Sequence, residues 1–392
     1  MTIRWEYRYT VLTLAVAAML STMVARISLS PLIPRIMTTF DVDKAAVGLA
    51  LSGMWAAYSL LQLPSGVLSE QYGERRVILL ALGLTSLGTV LVAASPSYLF
   101  FLLFTICLGV GTGLYFVVGT VLLSGLFDER RGTALGLHAG ASSVGGLITP
   151  VLATYIAVRH GWRAGVLLGT VSLAVMLAFA WWIKPTPPEN TDVRFADRVR
   201  LSTVFELLRR PVIAFTTIIA ILLNFSWQAF ASFFPTFLVE YHAVSQSRAS
   251  LIFAAIFAVS IACFPGLGRL SDRYGRDYVL AGGMAAGVLG YGVFFLEFNS
   301  IGVVVGVPLV ATGISYGGVL QSRLMDNFGS TERGTGFGLV RTLYMTVSAS
   351  GSVVTGTLAS LNGWPLAYGL VVGLMIVAMV SLLVNRAFDL GL

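Results

Sequence analysis

Charge is scarce in this chain: of 392 residues, 18 are acidic and 25 basic, and charged side chains make up 11% of the total. A soluble domain carries roughly a quarter, so a soluble globule is excluded. Cysteine is scarcer still. Cys107 and Cys263 each sit inside an apolar run, where a free thiol behaves as a small hydrophobe, and no disulfide framework follows from them. The three histidines, His138, His160 and His242, are too scattered for a metal cluster. There is no Gly-x-x-x-x-Gly-Lys-Ser/Thr loop, hence no ATP-binding module, and no cofactor is expected. Convergent nucleophile, acid and metal groups are also missing, which argues against an intramembrane enzyme. The most informative absence is that of Asp and Glu from the interior of every long apolar run.

What is present is apolar: 56% hydrophobic residues and a mean hydropathy of +0.85. Runs long enough to cross about 30 Å of hydrocarbon as helices recur between short polar breaks, without the ten-residue alternation of a membrane barrel. The sequence therefore predicts an all-α multi-pass membrane protein. The spans are expected at 9–38, 45–69, 77–94, 98–123, 132–158, 164–183, 211–239, 249–271, 279–297, 301–325, 334–360 and 366–385. The first run follows Arg4 and Arg8 but is too long for a signal-peptide core and lacks a small-residue cleavage site, so it reads as the first span. With the N-terminus inside, 17 Lys and Arg residues collect on the cytoplasmic side and 5 outside, which predicts both termini in the cytoplasm. The net charge of +7 reports this asymmetry; it forms no single patch for nucleic acid.

The chain repeats itself. Gly66-Val67-Leu68-Ser69-Glu70-Gln71-Tyr72-Gly73-Glu74-Arg75-Arg76 returns 202 residues later as Gly268-Arg269-Leu270-Ser271-Asp272-Arg273-Tyr274-Gly275-Arg276. Arg131-Gly132-Thr133 falls on Arg333-Gly334-Thr335, and Gly161-Trp162 on Gly363-Trp364, at the same offset. A constant offset indicates duplicated, parallel halves. The expected division is an N-terminal six-helix bundle at 1–183, a polar cytoplasmic linker at 184–210 and a C-terminal six-helix bundle at 211–392. Within the linker, Phe195, Val199, Val204, Phe205 and Leu208 share one helical face, and Thr203 with Glu206 fits a capping box. A short surface helix and an unstructured tether are both open.

Against the acid-free interior stand arginines. Arg26 falls near the middle of the first span and Arg341 about two turns into the eleventh; a guanidinium at membrane depth costs roughly 2.5 to 3.5 kcal/mol on insertion scales. Water, carbonyls, polar side chains or a bidentate anion can compensate them. For Arg341, snorkelling toward the cytoplasm is an equal alternative. Gln228 is the 202-offset counterpart of Arg26, with Asn224 one turn before it and Trp227 beside it. Tyr58, on one face with Trp55 and Gln62, and Tyr344, three after Arg341, complete the candidate substrate contacts, although packing explains aromatics equally well. His138 is the one histidine inside a span; it can carry a proton or bond between helices. Arg323, one turn before Asp326, reads as half of an interfacial ion pair.

The stretch Gly268, Leu270, Ser271, Asp272, Arg273, Tyr274, Gly275, Arg276 resembles the signature between helices 2 and 3 of the major facilitator superfamily, and the resemblance spans the chain. The first copy departs from it at Glu70, Gln71 and Glu74, which implies a charge network wired differently there. The resemblance implies a cytoplasmic gate built from Gly66, Glu70, Gly73, Arg76, Arg131, Gly268, Asp272, Arg273, Gly275, Arg276 and Arg333. It also implies a secondary transporter in the cell membrane, working by alternating access on a small-molecule substrate, with a coupling ion or counter-substrate, and a monomer. Thr105 replaces the arginine associated with proton coupling ahead of Gly109 and Gly111, and Ser142, Ser143 and Pro150 interrupt the drug-antiporter pattern around Gly145-Gly146. An organic anion is the expected substrate; efflux of amphipathic drug-like compounds and nutrient sensing are the alternatives.

Overall fold

The computed structural model of the chain describes residues 6–127, 130–185, 187–188, 201–296, 298–328 and 333–392, and no strand occurs among them. The helices are α1 (Tyr7–Ile27), α2 (Ile33–Phe40), α3 (Lys44–Tyr72), α4 (Glu74–Ala94), α5 (Tyr98–Leu126), α6 (Arg131–His160), α7 (Trp162–Val166) and α8 (Val171–Trp182). They continue as α9 (Leu201–Leu208), α10 (Pro211–His242), α11 (Gln246–Tyr274), α12 (Arg276–Leu296), α13 (Ser300–Ile314), α14 (Gly317–Met325), α15 (Arg333–Ser348), α16 (Ser350–Asn362) and α17 (Trp364–Ala387). Among the described residues, 11 helical stretches are long and apolar enough to cross a membrane. The expected span 334–360 is divided at Ala349 into α15 and α16, of 16 and 13 residues, each short of the ~20 a crossing needs.

Three further spans are divided, one of them at 164–183, where a 3-10 turn over Leu167–Thr170 separates α7 from α8. The expected helix at 9–38 stops at Ile27, and a 3-10 turn over Ser30–Leu32 links α1 to α2. Pro31 and Pro34 lack the N–H groups that would continue the ladder, so the carbonyls four residues before them lose their helical donors. The expected helix at 301–325 is interrupted at Ser315 and Tyr316, where the Ser315 hydroxyl donates to Ala311 O at 2.7 Å and the backbone passes to Gly317-Gly318.

The chain forms two compact units. The first comprises Met1–Phe40 and Gly53–Arg198. Its core gathers Val11 and Ala15 of α1, Ile78 and Ala81 of α4, and Tyr115 and Val118 of α5. In lipid, such helices associate by close van der Waals packing, and small residues set how close. A Cβ at Gly113 of α5 would lie 2.5 Å from Tyr58 O, so the glycine lets α5 press against the turn of α3 that carries Tyr58.

The second unit comprises Asp41–Ser52 and Val199–Leu392. Its core is aromatic: Phe230 lies 5.1 Å from both Phe234 and Phe253, and Phe237 lies 4.7 Å from Tyr368, each pair adding about 0.5 to 1.5 kcal/mol beyond area burial. The first turns of α3 belong here. Lys44 Nζ donates to Glu240 Oε2 at 3.0 Å, Trp364 Nε1 donates to the same oxygen at 3.0 Å, and the Ser52 hydroxyl donates to Ala349 O at 2.6 Å.

The repeat is visible in the backbone. Gly73 and Gly275 carry φ of 81° and 93°, and Gly161 and Gly363 carry 84° and 83°. Each pair is 202 residues apart and starts the next helix from a conformation that favours glycine. In α9, the buried residue is Leu207, which lies against Gly336 of α15, while Phe205 is 66% exposed. The expected face was centred differently, and Thr203 lies inside the helix and not at the N-cap position the capping box requires. Phe195 and Val199 lie outside the described residues.

Candidate functional site

In the first unit, Arg26 occupies the last turn of α1 and is 4% exposed. The helix ends immediately after it, so its charge faces the negative end of the helix dipole. The guanidinium Nε donates to Thr22 O at 3.2 Å, and Nη2 lies 3.9 Å from Met23 Sδ. Its central carbon is 4.2 Å from the Tyr58 ring and 4.9 Å from the Trp55 ring, two aromatics set edge to face at 87°. Cation–π contact of this kind contributes about 0.5 to 2 kcal/mol when desolvated. Among the described residues no carboxylate pairs with Arg26. A guanidinium has five N–H donors in a planar fork, more than the bonds to Thr22 O and the Tyr58 side chain use. Arg26 and Tyr58, both expected contacts, are thus brought together. Trp55, expected on the same face of α3 as Tyr58, joins them.

His138 stands apart from them. It is 2% exposed, its Nε2 lies 3.0 Å from the Tyr115 hydroxyl, and that hydroxyl donates to Ala15 O at 2.5 Å. The phenol has one proton and Ala15 takes it, so Nε2 carries a hydrogen and donates to Tyr115. Three helices, α1, α5 and α6, are tied by this relay.

In the second unit, Gln228 is 3% exposed, its Cβ lies against Gly351 of α16, and its Oε1 has no hydrogen-bond partner. Trp227 turns elsewhere, lining a small cavity with Leu223, Met284, Tyr291, Tyr316 and Met375. The Asn224 amide donates to Ala220 O at 2.9 Å on its own helix. Arg341 is half-buried and Tyr344 buried on α15, where Tyr344 O accepts from the Ser348 hydroxyl at 2.6 Å.

The polar motif of the second unit is wired by Arg276. Its Nη1 donates to Asp272 Oδ1 at 2.5 Å and to the Ser271 hydroxyl at 2.8 Å, and its Nε donates to Asp326 Oδ2 at 3.3 Å. Arg323 does not pair with Asp326, contrary to the spacing argument. It grips Asp277 instead, Nε to Oδ1 at 2.6 Å and Nη2 to Oδ2 at 3.3 Å, because a fork accepts a carboxylate on two atoms. Gly275 supplies the turn, whereas Gly268 has no neighbour within 4 Å and makes no close approach. Arg273 is exposed, over the Tyr274 ring at 5.2 Å. In the first unit, Arg75 donates to Ala180 O at 2.7 Å, and a Cβ at Gly66 would lie 3.7 Å from Val117 Cγ1. Glu70 is half-buried, Arg76 and Arg131 are exposed, and Arg333 opens α15, its side chain outside the described residues.

Comparison with known proteins places this architecture. The chain is 24% identical over 346 residues to a probable 4-methylmuconolactone transporter of Cupriavidus pinatubonensis, covering 86% of this chain and 81% of that one. It is 23% identical over 336 residues to a probable nitrate transporter of Staphylococcus epidermidis, covering 84% of each. A bacterial homolog of the human lysosomal transporter Spinster, solved inward-facing and unoccupied, superposes with a TM-score of 0.77 at 17% identity over 98% of this chain and 96% of its own, which shows a shared fold. The sequence profile of the Major Facilitator Superfamily matches residues 14–324 and 217–390. This chain therefore belongs to the Major Facilitator Superfamily, as a multi-pass membrane transporter and not an enzyme.

Proposed function

We propose that this transporter carries a small organic anion by alternating access, and that Arg26 is its anion anchor. The observation that carries the reading is a buried guanidinium with no carboxylate partner among the described residues, lying over the Trp55 and Tyr58 rings with more N–H donors than its protein partners use. Two relatives support it through their names, one for 4-methylmuconolactone and one for nitrate. The test is a thermal-shift panel of the purified protein against carboxylates, phosphate esters, sugars and amphipathic cations, since a ligand that binds the folded state raises its apparent stability. Carboxylates are expected to raise the melting temperature; a response confined to neutral or cationic compounds rejects the anion reading.

The proposal includes twelve spans in two six-helix bundles, 1–183 and 211–392, with the 184–210 linker and both termini in the cytoplasm. Single cysteines at Ser245 or Asn299 are expected to react with an impermeant thiol reagent added to intact cells, and cysteines in the linker are not. Labelling of the linker from outside reverses the orientation. The cytoplasmic gate is part of the same reading, with Asp272 its central acceptor. Asp272→Asn removes the anion that Arg276 holds at 2.5 Å, and it is expected to slow flux while expression is kept. Unchanged flux together with unchanged accessibility removes that role.

A further inference from the structure

We propose that the second unit binds a small monovalent cation, Na⁺, in an oxygen-lined seam between α10 and α16. Ser232, Thr236 and Glu240 follow one another at four-residue steps on α10 and so form one stripe. On α16, Ser352 and Thr355 are three apart and share a face. The two helices run in the same direction through the contact. A Cβ at Gly351 would meet Phe225 O at 2.6 Å and Gln228 Cβ at 3.1 Å, the Ser232 and Ser352 hydroxyls are 2.6 Å apart, and a Cβ at Gly356 would meet the Phe233 ring at 3.0 Å. That register puts Thr236 and Thr355 on the same seam, one turn beyond the serine pair.

Both threonines are 0% exposed, and neither hydroxyl has a hydrogen-bond partner. This departs from the habit of the chain, in which Thr216 and Thr217 each bond the carbonyl four residues back, at 2.7 and 2.6 Å. Pro235 adds a third oxygen: lacking an N–H, it leaves Ala231 O, in a residue 2% exposed, without its helical donor. Buried oxygens left unmatched are costly, and the seam has an excess of acceptors over donors. Hard oxygen ligands from hydroxyls and interrupted-helix carbonyls suit an alkali cation, and Gly351 lets the backbones of α10 and α16 approach closely enough to favour a small one.

Glu240 closes the far end of the stripe, one turn beyond Thr236. Both of its bonds, from Lys44 and Trp364, fall on Oε2, and Oε1 makes none. The carboxylate is exposed and already paired with Lys44, so it brings a free acceptor oxygen to the end of the seam and no net charge. The cation offsets the charge of the proposed anionic substrate, but the site does not depend on that reading.

The experiment is thermal denaturation of the full chain in nanodiscs, titrated with NaCl, KCl or choline chloride at constant ionic strength. A saturable rise in melting temperature is expected with Na⁺ and not with the other two. Thr236→Val and Thr355→Val keep the shape and remove one ligand oxygen each; both are expected to fold as well as the parent in choline and to shift the Na⁺ midpoint upward at least about tenfold. Arg26→Ala is expected to keep the full Na⁺ response, which separates this site from the anion site. Identical curves in the three salts mean the seam holds water alone and overturn the proposal. Valine variants with the parental Na⁺ midpoint overturn it equally.

Discussion

Arg26→Ala is expected to abolish anion counterflow in proteoliposomes, and Arg26→Lys to weaken anion binding by at least about thirtyfold, the equivalent of the ~2 kcal/mol at the low end for truncating a buried, hydrogen-bonded charge pair. The reasoning is geometric. Arg26 keeps Nε on Thr22 O and stacks on Tyr58 and Trp55. A lysine in its place carries the charge as a point, lacks the second donor of the fork and loses the planar stack, so charge alone does not restore recognition. A purely structural arginine makes the opposite prediction for stability. If Arg26 served packing, Arg26→Met would lower the melting temperature by removing the stack. As an anion anchor it is a charge held in the interior without a carboxylate, so Arg26→Met is expected to leave the ligand-free protein as stable or more stable while transport is lost. Normal counterflow in Arg26→Ala, or a large fall in ligand-free stability with flux retained by Arg26→Met, rejects the anchor.

How much of this was readable beforehand depends on the distance over which each interaction acts. The helices were legible because apolar length is a property of the local sequence, and the duplication because Gly73 and Gly275, like Gly161 and Gly363, recur at one offset and adopt matching positive φ values. Arg26 was legible because an unmatched charge in an acid-free span needs no partner to be noticed. Its stacking on Trp55 and Tyr58 was only half legible: the spacing puts the two rings on one face of α3, but which helix that face meets is tertiary information. The interruptions failed for another reason. Pro31 and Pro34 were in view, yet an apolar run hides a break because hydropathy averages over it. Arg323 failed most plainly. Asp326 is its neighbour in sequence, while Asp277, its actual partner, is 46 residues away, and helical spacing cannot report such a pair.

That pair carries the second large effect. Asp277→Ala is expected to destabilise the protein by about 3 to 5 kcal/mol, the usual result of leaving one member of a buried ion pair uncompensated. The side chains of Arg323 and Asp277 are 6% and 16% exposed, and the carboxylate takes two guanidinium bonds and one more from Asn385 Nδ2 at 2.9 Å. Arg323 in turn donates to the Thr216 hydroxyl and to Leu392 O, the latter at 2.6 Å, so α10, α12, α14 and the turn after α17 meet on one guanidinium. Removing Asp277 takes away the carboxylate that holds the buried guanidinium on two atoms. Removing both charges does not: the double variant Arg323→Met with Asp277→Ala is expected to recover part of the loss, since an apolar pair has no desolvation cost to offset. Asp277→Asn keeps the shape and the bond from Asn385's side of the network but not the charge, and is expected to fall between the parent and Asp277→Ala. The measurement is the melting temperature and the monodisperse yield, in one detergent, of the parent, the single variants Asp277→Ala, Asp277→Asn and Arg323→Met, and the double variant. If the double variant is no better than the sum of its singles, the two residues act independently and the hub is a set of neighbours sharing a surface.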